Sequence, residues 1–277
     1  MLLNDWLDKG YNADMDWMRG NLDKRTNPAK LFEGAKSAII VLQNYFPEKE
    51  LILPPNNRIA KYAYGNDYHY VVKDKLNKLL DLIRKQTSIE GRAFADSAPI
   101  MERALARKAG LGWIGKHSLL INQEFGSFVF IGVLLVNIEL PYDLSFDQNL
   151  CGTCTKCIEA CPTSAIVEPK IVDARKCLSY HTIENKGEIP VSVSEKNPGW
   201  IFGCDICQDV CPWNRKAIAN TEKKFEVLPE LLDINEESLA NLSSSAFNKR
   251  YKKSPLSRAG LKGILRNIRS IQLQLPE

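Results

Sequence analysis

Eight cysteines lie between positions 151 and 211 of this 277-residue chain, which has no others. Four follow the pattern C-x2-C-x2-C-x3-C, three follow C-x2-C-x3-C, and a proline comes directly after each run. The first run is Cys151, Cys154, Cys157 and Cys161; the second is Cys204, Cys207 and Cys211; Cys177 stands alone between them. Thiolates are soft ligands, and a 4Fe–4S cluster takes four of them. The spacing therefore predicts two 4Fe–4S clusters that use every cysteine of the chain.

The order of the cysteines also indicates which of them share a cluster. In bacterial two-cluster proteins the fourth cysteine of a run ligates the other cluster. One cluster is then expected to take Cys151, Cys154, Cys157 and Cys211. The other is expected to take Cys161, Cys204, Cys207 and Cys177, because the second run lacks a fourth cysteine of its own.

Two other uses of these cysteines are disfavoured. A disulfide framework is typical of small secreted domains, whereas this chain shows no secretory signal and is otherwise a large cysteine-free sequence. Structural zinc sites use C-x2-C pairs but leave the C-x2-C-x2-C-x3-C-P run unexplained.

The bulk composition is that of an ordinary globular protein, with 44% hydrophobic and 25% charged residues. The longest apolar run, residues 128–136, has the length of a strand and is too short to cross a bilayer. With no twin-arginine or other export signal at the start, we expect a cytoplasmic protein without a membrane span.

Positive charge is concentrated at the end of the chain, since no acidic residue occurs from Ser238 to Pro276. Such a stretch indicates a nucleic-acid footprint, although a solvated helix face accounts for it equally well from charge alone. The candidate phosphate contacts are Lys249, Arg250, Lys252, Lys253, Arg266 and Arg269.

Hydrophobic periodicity places the other elements. Strands are predicted at Lys36–Phe46, Ala93–Ala95, Leu119–Ile121 and Ser127–Asn137, and helices at Tyr68–Arg84 and from Pro99 through Ala109. We therefore expect an α+β protein: a layered α/β domain at 1–145, a ferredoxin-like domain at 146–220 and a short basic α-helical segment at 221–277.

Asp96 is the most informative acid of the first domain. It ends a predicted strand, where a carboxyl beside a bound ligand can act as a proton donor. The competing interpretation, favoured by local sequence, is a cap for the helix expected at Pro99. The glycine-rich segment Gly110–Ser118 fits either a ligand pocket or a structural turn. The aromatic segment Tyr62–Tyr70 fits either a ligand pocket or the edge of a core.

Taken together, these motifs resemble one family. The matching pieces are Arg25-x2-Pro28, Tyr62-Ala-Tyr-Gly-Asn-Asp-Tyr-His69, Asp96-Ser-Ala-Pro99, Glu102-Arg103, Gly110-Leu-Gly-Trp-Ile-Gly-Lys116, Gly126-Ser127, Cys177-Leu-Ser-Tyr180, Gly203-Cys-Asp-Ile-Cys207 and Cys211-Pro-Trp-Asn214. In this combination and order the chain resembles the epoxyqueuosine reductases, cobalamin- and iron–sulfur-dependent enzymes of tRNA queuosine synthesis.

The resemblance implies a base-off cobalamin between the first domain and the clusters, and reduction of epoxyqueuosine to queuosine at the wobble position of a tRNA. It implies Asp96 as proton donor and an external electron donor. The implied cobalamin contacts are Ser179, Cys204 and Asp205, with Arg25, Tyr62, Asp96, Lys116 and Ser118 as further candidates.

Two other functions remain open at the level of sequence. A corrinoid reductive dehalogenase also pairs cobalamin with two clusters, but such enzymes are exported. A non-catalytic ferredoxin-type electron carrier would have the clusters without needing the glycine and aromatic segments of the first domain.

Overall fold

The computed structural model describes residues 3–51, 53 and 57–272. Its α-helices are α1 Leu3–Asp8, α2 Leu22–Thr26, α3 Tyr68–Arg84, α4 Glu102–Lys108, α5 Lys156–Glu159, α6 Leu178–Ile183, α7 Val191–Ser194, α8 Ile206–Asp209, α9 Glu236–Ala240, α10 Ser244–Arg250 and α11 Gly260–Gln272. Its strands are β1 Ser37–Asn44, β2 Arg58–Ile59, β3 Gly91–Phe94, β4 Trp113–Ile114, β5 Leu120–Ile121, β6 Val129–Val136, β7 Ile166–Glu168, β8 Ile171–Val172 and β9 Trp200–Phe202. Short 3-10 turns occur at Asp16–Met18, Pro28–Leu31, Lys61–Ala63, Ala174–Lys176, Pro212–Asn214, Lys223–Phe225, Pro229–Leu231 and Pro255–Arg258.

The first part of the chain is built on an antiparallel sheet with strand order β1-β6-β3. The central strand β6 is apolar on both faces, as a strand covered from two sides must be. Phe130 and Leu134 pack with α3, whereas Val133 and Leu135 pack on the opposite face with Phe94. The sheet is therefore the middle layer, with α3 on one face and α4 and the 28–35 segment on the other.

Most of the predicted elements are confirmed, and α3 has the predicted bounds. Helix α4 is the exception, because it begins at Glu102 rather than at Pro99. The reason is tertiary: Ile100 is buried against Phe94 and Val133, so residues 96–101 bend across the sheet before the helix starts. Asp96 is therefore not the cap of this helix, and the capping interpretation is wrong.

The glycine-rich segment forms the β4–β5 hairpin. Gly112 has φ +149°, and a Cβ added there would lie 2.1 Å from the carbonyl oxygen of Ile121. Only glycine allows this close approach. The interpretation of the glycine-rich segment as a structural turn therefore accounts for at least Gly112.

The cysteine-bearing module is joined to the first part by backbone pairing and by a shared core. β2 pairs in parallel with β9, and the core around Ile59 and Phe202 continues into α11 through Ile264 and Ile268. The basic segment is consequently a packed helical layer rather than a free tail. No helix within the described ranges is long and apolar enough to cross a membrane.

Asn267 holds the helical layer against the rest of the protein through hydrogen bonds made inside the core. It is fully buried, and its side-chain amide donates to the carbonyl oxygens of Thr182 and Ile201 at 2.8 Å each. One side chain of α11 therefore satisfies the backbone of both α6 and β9.

We expect Asn267→Ala to lower the free energy of unfolding by about 2–4 kcal/mol, because two buried carbonyl groups are left without their donor. Denaturant titration followed by circular dichroism measures the change. Asn248→Ala, at an exposed position of α10, is the matched control and should change the stability by less than about 0.5 kcal/mol. Equal effects of the two variants would contradict this role of Asn267.

Candidate functional site: the thiol groups and the Asp96 corner

One set of thiols has less protein around it, although Cys157 and Cys211 are themselves buried. Burial raises the pKa of Cys157, and the neighbouring Cys211, Cys151 and Cys154 raise it further. Burial likewise raises the pKa of Cys211, with added contributions from Cys151 and Cys154. These four cysteines therefore lie close enough together to influence one another, in the grouping that the spacing predicts. We call them the outer thiols.

The second set is more strongly desolvated by the surrounding protein, although each of its thiols keeps some exposed surface. Burial raises the pKa of Cys204 well above its usual range, and Cys177 and Cys161 add to the effect. Burial also raises the pKa of Cys207, with Cys204 and Cys177 as neighbours. We call Cys161, Cys177, Cys204 and Cys207 the inner thiols. The neighbours of these thiols are mainly members of the same predicted group, and which cluster each thiol ligates stays a prediction.

The surroundings of the sulfur atoms fit thiolates bound to iron. Hydrogen bonds from N–H groups to cysteine sulfurs stabilise the charge that a cluster places there. The backbone N–H of Ala165 donates to Sγ of Cys161 at 3.2 Å, and the indole of Trp113 donates to Sγ of Cys151 at 3.4 Å. Among the described residues no three potential ligands lie close enough to hold a single metal ion, so the assignment rests on the spacing and these contacts.

Asp96 lies at a corner where β3 gives way to the bend before α4. Its backbone is left-handed, with φ +49°, which is uncommon for a residue with a side chain. The hydroxyl of Tyr68 donates to Oδ2 of Asp96 at 2.6 Å. The carboxyl side chain is 65% exposed, so the protein alone does not desolvate it. Any desolvation of this acid must come from a molecule that binds over it.

The pair formed by Asp67 and His69 faces the carboxyl group of Asp96. Nδ1 of His69 lies 2.6 Å from Oδ1 of Asp67, and Nε2 of His69 lies 3.8 Å from Oδ2 of Asp96. Burial lowers the pKa of His69, but the hydrogen bond and charge of Asp67 outweigh it, so the pKa is raised overall. The raised pKa favours the protonated form of the imidazole next to the Asp96 carboxyl.

Glu102 completes this corner. Its Oε1 accepts a hydrogen bond from the backbone N–H of Asp96 at 2.5 Å. Burial and the charge of Asp96 raise the pKa of Glu102 to about 7. We call Asp96, Tyr68, His69 and Glu102 the Asp96 corner. The sequence singles out Glu102 only as part of a motif, because the bend that brings it to Asp96 has no local signal.

Tyr62 connects the Asp96 corner with the inner thiols. Its ring meets that of Tyr68 edge-on at 6.1 Å. Tyr62 and Cys204 both pack against the small core formed by Ala60, Leu178, Val193 and Trp200. Burial raises the pKa of the Tyr62 hydroxyl, with Asp205 as the next contribution. The structure therefore places Tyr62 beside Tyr68, the partner of Asp96, and against the same core as Cys204.

The structure gives Asp205 a different role from the predicted one. Its side chain is buried, and Oδ2 accepts the backbone N–H of Lys61 at 2.7 Å. Nζ of Lys61 lies 4.0 Å from the same oxygen and 2.7 Å from Asp209. Because protein groups already hold the carboxylate, this side chain is not free to bind a cofactor. Lys61 itself was missed, since no motif distinguishes it from a surface lysine.

A cavity of about 330 Å³ lies where Trp17 faces the end of α6 and the basic segment. Its lining includes Trp17, Glu184 and Arg258. Ser179 belongs to α6, the helix that leads to Glu184. Arg25 lies under Trp17, with its guanidinium 5.6 Å from the ring centre.

Arg25 is the most unusual residue beside this cavity. It is only 7% exposed, yet its Nε has no hydrogen-bond partner among the described residues. Buried polar groups are nearly always paired, so an orphaned donor calls for a partner from outside the chain. The position of Arg25 therefore fits a site for a polar organic ligand.

The two remaining predicted cofactor contacts lie in the β4–β5 turn. Arg103 of α4 donates to the carbonyl oxygen of Ser118 at 2.5 Å, which holds this turn against the helix of Glu102. The carbonyl oxygen of Lys116 accepts the backbone N–H of Lys170 in the cysteine-bearing module. The turn therefore bridges the two parts of the chain through backbone groups.

The basic segment reaches the Asp96 corner. The carbonyl oxygen of Lys253 accepts the backbone N–H of Asp67 at 2.6 Å, and the Lys252 and Lys253 side chains are exposed beside it. The backbone of this segment is therefore fixed to the residue that pairs with His69.

Two arginines of the segment are already engaged. The five N–H groups of Arg266 all bond to carbonyl oxygens of 181, 185 and 187 and to Asn267. Arg269 pairs with Glu236. Arg266 has no donor left for a phosphate, so the prediction that it contacts nucleic acid is withdrawn.

Two groups of four thiols, linked through aromatic rings to an exposed acid beside a basic surface, define an iron–sulfur oxidoreductase. Comparison with known proteins agrees with this class. A family model described as a 4Fe-4S double cluster binding domain matches residues 150–214, and one described as epoxyqueuosine reductase QueG matches residues 25–97.

Curated relatives cover nearly the whole chain. An epoxyqueuosine reductase of Cyclobacterium marinum is 46% identical over 98% of this chain and 87% of its own length. That of Leadbetterella byssophila is 48% identical over 96% and 87%, and that of Escherichia coli is 43% identical over 96% and 72%. The chain belongs to the epoxyqueuosine reductase family.

Solved structures of this family have the same fold. An epoxyqueuosine reductase with a tRNA-Tyr epoxyqueuosine-modified stem loop superposes with TM-score 0.88 at 29% identity, over 98% of this chain and 73% of that one. The Streptococcus thermophilus enzyme gives 0.88 at 31%, with the same coverage. The Bacillus subtilis enzyme, with its catalytic aspartate loop swung out of the active site, gives 0.86 at 28%, again over 98% and 73%.

The thiol grouping predicts a selective loss of iron. Anaerobically prepared protein should hold about eight iron atoms per chain, and Cys177→Ala should reduce this to about four, because it removes a ligand of the inner cluster only. Iron analysis and low-temperature EPR measure the change. Cys154→Ala is the matched variant of the outer thiols and should also leave about four, with a different EPR signal. Loss of both clusters, or of neither, from Cys177→Ala would contradict the assignment.

Proposed function

We propose that this chain reduces the epoxide of epoxyqueuosine in tRNA to the cyclopentene of queuosine, with two 4Fe–4S clusters and a base-off cobalamin. The observation that carries the proposal is the position of Tyr62, which packs against the same small core as Cys204 and meets Tyr68, whose hydroxyl donates to Asp96. A pure electron carrier has no use for an exposed acid with its own proton supply. The basic surface beside that acid favours an RNA substrate over a small halogenated one.

The reaction needs two electrons and two protons, because the epoxide C–O bonds break and the oxygen leaves as water. When bound, the clusters and the corrinoid supply the two electrons. Arg25, Ser179, Cys204 and Tyr62 are the residues that we propose to hold the corrinoid, with Lys116 and Ser118 as further candidates from the β4–β5 turn. The orphaned Nε of the buried Arg25 supports this placement.

Asp96 is the proposed proton donor. As negative charge develops on the departing oxygen, a carboxylic acid within reach protonates it and lowers the barrier. Tyr68 orients the carboxyl through its hydrogen bond to Oδ2. The His69–Asp67 pair is placed to return a proton to Asp96 after each transfer, because its imidazole lies 3.8 Å from the same oxygen. Substrate and cofactor together cover the exposed carboxyl and exclude water from it.

The tRNA anticodon loop is proposed to lie over the turn at 251–254. This turn carries Lys252 and Lys253 and is bonded through its backbone to Asp67, so phosphate contacts there bring the wobble base to the Asp96 corner. Lys249 and Arg250 extend the surface along α10, whereas Arg269 is engaged with Glu236. The base must leave the anticodon stack to reach Asp96, and phosphate contacts offset this cost.

Electrons are proposed to enter at the outer thiols, the group with less protein around it, from an external donor protein or reductant. We place the reaction in the cytoplasm, because the substrate is tRNA and thiol-held clusters need a reducing compartment.

The function is tested by nucleoside analysis of tRNA from a strain that lacks the gene. The strain should accumulate epoxyqueuosine and lose queuosine, and the chain supplied on a plasmid should reverse this. Unchanged queuosine in the deletion strain would refute the proposal. A corrinoid absorption spectrum in anaerobically purified protein separately tests the cofactor.

Asp96→Asn should lower turnover by about 10²–10⁴-fold, because the amide cannot donate a carboxylic proton. Its oxygen still accepts the Tyr68 hydroxyl, so folding, iron content and corrinoid binding should be retained. Single-turnover conversion of an epoxyqueuosine stem loop, followed by mass spectrometry of the nucleosides, measures the effect. Asp143→Asn, at an exposed loop position, is the control. Near-native turnover of Asp96→Asn would mean that the proton comes from another group.

Lys252→Gln combined with Lys253→Gln should weaken tRNA binding and reduce the log–log salt slope by about 0.7 for each phosphate that no longer meets a lysine. Filter binding at several salt concentrations measures both, and turnover at saturating tRNA should change little. A control pair, Lys49→Gln with Lys85→Gln, removes the same charge from exposed positions outside the basic segment. If the two pairs behave alike, the basic segment is only a solvated surface.

A further inference from the structure

Asp96 is held by Tyr68, His69 and Glu102, and Glu102 is the group that accepts its backbone N–H. Tyr68 bonds to the carboxyl and His69 faces it, but Glu102 accepts the N–H of Asp96. The segment that follows, residues 97–101, is a bend without regular structure. The left-handed backbone at Asp96 is unfavourable for most side chains, so it persists where a neighbouring group stabilises it.

We propose that Glu102 is a positioning residue that latches the Asp96 loop in its closed conformation, and that a proton on Glu102 strengthens the latch. The inference rests on the proposed role of Asp96 only for its effect on turnover. The Bacillus subtilis structure, with its catalytic aspartate loop swung out of the active site, is a precedent in a relative for the movement that such a latch would oppose.

The proton dependence follows from the arrangement of the two acids. In the closed loop Glu102 is half-buried, and its oxygen is bonded to the residue that carries the Asp96 carboxyl. An ionised Glu102 keeps the hydrogen bond but is placed close to a second negative charge in a poorly solvated position. A protonated Glu102 accepts the same N–H through its carbonyl oxygen. That bond is weaker than one to a carboxylate, but the larger costs of burial and of repulsion by Asp96 are removed. Opening the loop separates the acids and returns Glu102 to water.

Closure of the Asp96 loop should weaken as the pH rises. The pKa of Glu102 is raised to about 7 in the closed loop by burial and by Asp96, and it should return toward its usual value in the open loop. A raised pKa means that closing takes up a proton. The contribution of Glu102 to closure is therefore present at low pH and is lost as the pH rises through about 7.

Other ionisable and charged groups face this corner and must be separated from Glu102. They are Arg103 beside Glu102 on α4, Tyr68 and His69 on α3, Asp67 before that helix, Arg25 and Arg258 near the cavity, and Tyr62 on the side of the inner thiols. His69 is itself ionisable and has a raised pKa, so the effect of pH on Glu102 must be measured as a difference between variants.

Two variants separate the effect of the Glu102 hydrogen bond on the loop from the effect of the Glu102 charge. They are Glu102→Gln and Glu102→Ala. Gln has the shape of protonated Glu and retains an oxygen for the Asp96 N–H, so it should keep the loop closed at every pH. Ala removes the acceptor. Glu124→Gln, in an exposed turn, is the control.

Hydrogen exchange of iron–sulfur-loaded protein, read by mass spectrometry on peptides covering residues 95–101, reports the loop directly. In Glu102→Ala the exchange of this peptide should be about tenfold or more faster than in wild type, the effect of removing a hydrogen bond to a carboxyl group. Between pH about 6 and about 8.5 the loop of the wild type should open about tenfold more often relative to Glu102→Gln at the same pH. The sheet and α3 should exchange as in wild type.

Three results would overturn the proposal. These are unchanged exchange of the 95–101 peptide in Glu102→Ala, faster exchange throughout the sheet, which indicates a general loss of stability, and an identical pH response of Glu102→Gln and wild type. Because exchange does not depend on catalysis, it tests the latch even if Asp96→Asn shows that Asp96 is not the acid.

Discussion

The hydrogen bond between the buried Asp205 carboxylate and the backbone N–H of Lys61 is the contact on which the rest of the site depends. It joins the residue after Cys204 to the residue before Tyr62, at 2.7 Å and out of contact with water. The β2–β9 pairing lies directly beside it. Together they set the distance between the inner thiols and the aromatic residues that lead to Asp96. Without this junction the two halves of the chain would not form one site.

This junction places charges in a region where charges are costly. Burial raises the pKa of Asp205 to about 6, and Lys61 only partly opposes it. Burial also lowers the pKa of Lys61, but Asp205, Asp209 and Glu50 together raise it overall. A buried ion pair seldom adds much stability, although removal of one partner is strongly destabilising. The pair therefore fixes the position of two segments relative to each other and adds little to the free energy of unfolding.

The sequence predicted what local chemistry determines and missed what tertiary contacts determine. The bounds of α3 follow from its apolar periodicity and from Asp67, whose side chain caps the helix. The predicted start of α4 was wrong because the burial of Ile100 depends on strands that are distant in sequence. Arg266 looked like its basic neighbours, and only the carbonyl groups of residues 181–187 distinguish it. Lys61 has no local signature, since its partners lie far away along the chain.

The two parts of the site differ in rigidity, and the chemistry gives a reason. Electron transfer needs fixed distances. Cys177 directly precedes α6 and Cys204 follows β9, and both elements bond to Asn267, while β9 also pairs with β2. Proton transfer to a modified tRNA nucleobase, which enters the site from outside, needs an acid that can move aside to admit it and then return. Asp96 meets that need, because it is exposed, lies on an irregular segment, and is held by side chains rather than by a β-ladder. The strained backbone of Asp96 then has a function: it makes the closed loop dependent on a few polar contacts, so that small changes in charge or in bound ligand decide its position.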